Sequence, residues 1–202
     1  MSTSIRGDLQ NDLLTSPIDL CVTKWVLETS PFAFAGVSRE EFWNWKSALA
    51  AKIDVDAKNI LITGSGAVGV SLNPFKGMKN YDSLSDIDVA VISTYHFDVA
   101  WRALRNIGTR RFSLPQSQQR AIDEHVKRYI YWGTIATDRI LPLLPFGKEW
   151  VIALNEMAQI EPTIDRTIKV RIYRDFASLR AYLVTGLKEL RNQLLSTISP
   201  SS

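Results

Sequence analysis

One cysteine, two histidines and no long apolar run set the first limits on this 202-residue chain. A single thiol, Cys21, rules out an intrachain disulfide and suits a reducing cytoplasm. With only His96 and His125 to accompany it, no cluster has the ligand spacing of a zinc site. No stretch approaches the length of a membrane span, and the polar start Met1-Ser-Thr-Ser-Ile-Arg-Gly-Asp argues against a secretory signal. Charge of one sign is also scarce. A net charge of +3 is too mild to imply nucleic-acid binding on its own. Repeats and low-complexity blocks are missing apart from a short Ser/Pro tail, Ser199 to Ser202. What is present is ordinary for a globular protein: 46% hydrophobic and 22% charged residues, enough for one domain with a sizeable core.

The informative stretch is 61–92, LITGSGAVGVSLNPFKGMKNYDSLSDIDVAVI. It combines a Gly64-Ser65 turn, a further small residue at Gly69, and Asp86-Ile87-Asp88 inside an apolar run. A strand alternates its faces, so Asp86 and Asp88 point the same way while Ile87, Val89 and Val91 enter the core. Two neighbouring carboxylates repel and are best held by a cation; Mg²⁺ suits one or two carboxylates plus substrate phosphates. Glycine lets backbone N–H groups approach a triphosphate closely, and the capped helix start at Ser65 favours an anion.

The order hydrophobic-Gly-Ser, spacer, Asp-x-Asp resembles the nucleotidyltransferase signature of the DNA polymerase β-like superfamily, with Thr63-Gly64-Ser65 and Ser85-Asp86-Ile87-Asp88-Val89 carrying the likeness over roughly residues 58–93. The resemblance implies an α/β (α+β) fold with a small mixed sheet flanked by helices. It further implies a nucleotidyltransferase that uses Mg²⁺ (or Mn²⁺) and takes ATP or another NTP, with Asp86 and Asp88 as metal ligands and catalytic residues. Gly64 and Ser65 would then hold the triphosphate. Compact stand-alone members resemble bacterial modules of toxin–antitoxin and anti-phage systems, which implies a protein partner or an oligonucleotide product.

Two features depart from that pattern. Asp86 lies 21 positions after Ser65, about twice the spacing of compact members, and the extra residues, roughly Asn73 to Leu84, have the composition of an ordered loop or short hairpin. Lys76 and Lys79 within it are candidates for triphosphate or acceptor contacts, although loop lysines are usually solvated. The superfamily also takes a third carboxylate from a later strand. The best later strand, Thr167–Tyr173, buries Ile168, Val170 and Ile172 and turns Lys169, Arg171 and Tyr173 to the other face, where no acid stands. Asp165 and Asp175 flank it as substitutes. Arg171 either neutralises a phosphate or pairs with Asp86 or Asp88, mimicking the metal and silencing the site. The alternative function is therefore a catalytically inactive scaffold or regulatory subunit of a complex.

The remaining chain reads as helices around this centre: N-terminal helices over about 1–55, with a capping box at Ser38–Glu41, and a leucine-striped C-terminal helix over about 176–196. Helices are also expected at Ser16–Glu28, His96–Ile107, Gln116–Tyr131 and Glu149–Gln159. Strands are expected at Asn59–Thr63 and Asp86–Ser93, and Tyr131–Pro142 leads into a loop. The histidines are taken as structural. The arginines between 102 and 128 form a solvated face or a basic patch for nucleic acid, with no interleaved aromatic motif.

Overall fold

The computed structural model describes residues 2–198. In chain order the helices are α1 Ser2–Thr15, α2 Ile18–Val22, α3 Arg39–Lys52, α4 Gly64–Val68, α5 Thr94–Ile107, α6 Gln116–Glu124, α7 Gly147–Met157 and α8 Phe176–Ile198. The strands are β1 Ile60–Thr63, β2 Ile87–Ile92, β3 Thr134–Ala136 and β4 Ile168–Tyr173. They form one mixed sheet in the order β1-β2-β4-β3, with β2 and β4 parallel and both outer pairs antiparallel. The Ser/Pro tail lies outside the described residues.

Alternation along the strands sorts the sheet into two faces. Ile60 and Ile62 of β1, Ile87, Val89 and Val91 of β2, and Ile168, Val170 and Ile172 of β4 are all buried in one core cluster with α3, α5, α6 and α7. The other face is polar at one end, where Thr63, Asp88 and Lys169 are paired across three strands. Its far end packs, through Ala90 and Tyr173, into a second cluster with α1, α2 and α8. The leucine stripe of α8 belongs to this cluster: Leu179, Leu183, Leu187 and Leu190 are buried, as core residues and not as a free face.

Local chemistry explains several element boundaries. Ser38 accepts from the Glu41 backbone N–H while the Glu41 carboxylate accepts from the Ser38 N–H, a complete capping box at the start of α3. The helix read at Ser16–Glu28 is α2 followed by a π-helical turn, Thr23–Leu27, and the one read at Gln116–Tyr131 likewise ends in a π-helical turn, His125–Tyr129. The insertion between α4 and β2 is a small hairpin. Val70 pairs with Asn80, and Arg6 of α1 holds its far limb through the Met78 carbonyl at 2.8 Å and Asn80 Oδ1 at 3.0 Å. Strand β3 falls in the Tyr131–Pro142 segment that leads into the loop, for which the sequence suggests no element. Three residues are too few to show a period-two pattern, and Gly133 before it is a turn signal.

Candidate functional site

This polar end of the sheet opens into a cleft of about 860 Å³ between β2, β4, the insertion and α8. Gly64 and Asp88 meet in its lining. Gly64 has φ +60°, and a Cβ built there would run into the Asp88 carboxylate, so only glycine allows the turn to close on the acid. Gly69 plays a different part. It ends α4 at φ +90°, and a Cβ there would lie 2.8 Å from the Phe32 ring, so it is a close-packing glycine.

Asp88 is half-buried, and burial, reinforced by the charge of Asp86, raises its carboxyl above the ordinary range; Lys169 and Arg171 oppose the shift. Asp86 lies just ahead of β2 and already has a partner. Its Oδ2 accepts from the Lys169 ammonium at 2.5 Å, and that bond raises the lysine. The cation on Asp86 is therefore Lys169, and not Arg171 as one reading of the sequence had it. Arg171 instead lies over the rings of Tyr129 and Tyr182, at 5.0 and 4.7 Å, and donates to Tyr182 Oη at 2.7 Å. Its guanidinium lines the cleft.

The remaining sequence candidates divide sharply. Ser65 is half-buried at the start of α4, behind the lining residues. Lys76 is exposed, and Lys79 is held by Asp82 at 2.8 Å; the insertion lines the cleft with Asn73, Pro74 and Phe75 instead. Neither substitute acid reaches in. Asp165 is exposed on a turn of positive φ before β4. Asp175 caps α8, and its bonds from the Ser178 N–H and hydroxyl lower its carboxyl. Besides Asp88 the cleft is lined by Glu189 of α8 and by Asp138, two residues beyond β3 and close enough to act on both Asp88 and Lys169. Its one signal in the sequence was the apolar run before it, Thr134-Ile-Ala, which is too short to be read as a strand.

Both histidines are structural in position. His125 donates through Nδ1 to the Ala121 carbonyl at 2.5 Å and accepts the Ala136 N–H on Nε2 at 3.0 Å, fixing a neutral ring. His96 packs against Phe146 and Trp150. Arg111 pairs with Asp123, and Arg105 lies over the Trp101 ring, while Arg128 joins the lining of the cleft.

Among the described residues no group of three or more His, Cys, Asp or Glu side chains is arranged to hold a metal ion, and no helix is long and apolar enough to cross a membrane. Two carboxylates two residues apart, Asp86 and Asp88, are the donor chemistry that one Mg²⁺ shared with substrate phosphates would use, and Lys169 already holds Asp86. No protein-family model, curated protein or solved structure matches the chain.

Proposed function

We propose that this protein binds ATP or another nucleoside triphosphate with Mg²⁺ (or Mn²⁺) in the Gly64–Asp88–Arg171 cleft and transfers the nucleotidyl group to an acceptor. One observation carries the reading: a glycine turn packed directly on a half-buried carboxylate, in the lining of a cleft that also holds Lys169 and Arg171. Asp86 and Asp88 would hold the ion, which supplies neutralisation of phosphate charge and polarisation of the phosphorus centre. Gly64 gives the phosphates close access to the backbone. Arg171, fixed by two tyrosine rings, offers its free N–H groups to phosphate oxygens. In the transfer, a bond forms from the acceptor oxygen to the α-phosphorus, the bond to the bridging oxygen breaks, and pyrophosphate leaves. The acceptor's proton passes to a carboxylate of the cleft, for which Asp138 is the choice. The fold expected from the family resemblance is part of this proposal, as are a cytoplasmic setting, a protein partner and a role in a defence or toxin–antitoxin pair.

Calorimetric titration with ATP and the other NTPs in Mg²⁺ tests the reading. Wild type is expected to bind in a Mg²⁺-dependent way, and the folded Asp86→Asn/Asp88→Asn variant to bind at least ten times more weakly. Folded wild type that takes up no NTP would sink it.

The Lys169–Asp86 ion pair favours a second reading, an inactive scaffold whose acids are permanently satisfied. Exposed apolar side chains such as Phe75 and Leu84 would then serve a protein partner. Under that reading the same titration is silent for wild type and variant alike.

A further inference from the structure

Lys169 stands directly opposite Asp88 in the parallel β2–β4 register and closes on Asp86 at 2.5 Å. Asp86, Asp138 and Asp88 all act on it. Two acids on one strand face call for a cation, and here the neighbouring strand supplies it. The pair is accessible, with 41% and 37% of the two side chains exposed. A lysine ammonium is a point charge on a flexible stem, so such a contact opens at small cost. The direction in which it would open is also defined. Lys169 lines the cleft, whose lining balances three acids, Asp88, Asp138 and Glu189, against three bases, Arg128, Lys169 and Arg171. Asp86 beside them leaves one uncompensated negative charge, which a divalent ion would convert to one positive charge suited to a phosphate.

We infer that Lys169 is the built-in cation of the acid pair: it occupies Asp86 while the cleft is empty, and a divalent ion gains that carboxylate only by displacing it. The freed ammonium turns to the phosphates that arrive with the ion. Uptake of the ion is thereby favoured by an anionic ligand, because a phosphate gives the displaced lysine a further partner beside Asp138. The second half rests on the proposed nucleotide reading; the competition between ammonium and divalent ion belongs to the acid pair whatever the cleft binds.

Two titrations on the full chain test this. Mn²⁺ alone is followed by loss of the free-ion paramagnetic resonance signal in wild type, Lys169→Met, Lys169→Gln and Lys169→Met/Asp86→Asn. Either lysine substitution is expected to tighten Mn²⁺ at least tenfold, and Asp86→Asn to remove the gain. Calorimetry with the Mg²⁺ complex of a non-hydrolysable ATP analogue should move the opposite way, at least tenfold weaker in Lys169→Met. Equal Mn²⁺ affinity in wild type and both lysine variants overturns the inference, as does a gain that survives Asp86→Asn. Loss of both ligands together would mark a merely structural lysine and also overturns it. A Mn²⁺ gain beside an ATP analogue that binds none of the proteins keeps the competition and removes the nucleotide reading.

Discussion

Gly64 carries two separate penalties for any side chain, a left-handed backbone and a carboxylate where the Cβ would go. Gly77 carries only the first, with φ +53° and open space around it. The comparison isolates the contact with Asp88. Gly77→Ala is expected to lower stability in urea by about 1 kcal/mol and leave NTP binding unchanged. Gly64→Ala is expected to cost about 1–3 kcal/mol and to weaken Mg²⁺-dependent NTP binding at least tenfold, since the acid must move. Equal binding losses in the two would show that the approach to Asp88 is unimportant. At this scale much of the candidate site was legible. Gly64, Asp86 and Asp88 lie close in sequence, and strand alternation alone puts the acids on one face. The partner of Asp86 was not legible, because choosing Lys169 over Arg171 needs the β2–β4 register. A shift of two residues along β4 moves the cation by about 6.6 Å, the difference between an ion pair and a cleft wall.

Elements with their own signals were the easiest to place. The capping box of α3 is written in four residues, and Ser38→Ala should remove about 1 kcal/mol of stability, read from the urea midpoint, with NTP binding untouched. A loss below experimental error would mean the Glu41 contact alone holds the helix start. The polar and apolar faces of β4 were likewise given by alternation, and burial of Ile168, Val170 and Ile172 follows it. Elements with weaker signals depended on neighbours. Strand β3 exists because its backbone completes the edge of β4, with Thr134 opposite Tyr173 and Ala136 opposite Arg171. Its own three residues carry almost no pattern. Asp138 was invisible for the same reason, since it enters the cleft only once β3 is paired. The π-helical turns leave no mark in the apolar spacing of their helices.

Across the whole molecule, the sheet separates a dry side from a side that is partly open, and each histidine is tied to the packing on the dry side. Burial holds both imidazoles below the usual value of 6.5; for His125 the hydrogen bonds with Ala121 and Ala136 and the charge of Glu124 oppose the shift while Arg171 adds to it, and for His96 Asp54 opposes it. Below about pH 6.5 the unfolded chain takes up protons that the native rings resist. The stability from these groups is therefore complete above pH 6.5 and declines as pH falls towards the lowered native values. The urea midpoint is expected to drop between pH 7 and 5, and the slope to be shallower in His125→Gln. A flat midpoint in wild type over that range would remove the claim.

The second core cluster joins the two extremes of the described chain. Leu9 and Leu13 of α1 pack with Leu183, Leu187 and Leu190 of α8, and Arg191 reaches back to the carbonyls of Leu13 and Ser16. Leu13 and Arg191 are 178 positions apart. On the ribosome, α1 is therefore made well before α8 and waits for it about 10–35 s at ordinary elongation rates. During that interval its leucines have only the earlier part of their cluster, such as Ile18, Cys21 and Val22, for cover. The half of the core that frames the cleft closes only once α8 has been made, so nascent chains stalled before α8 would be clients for a chaperone.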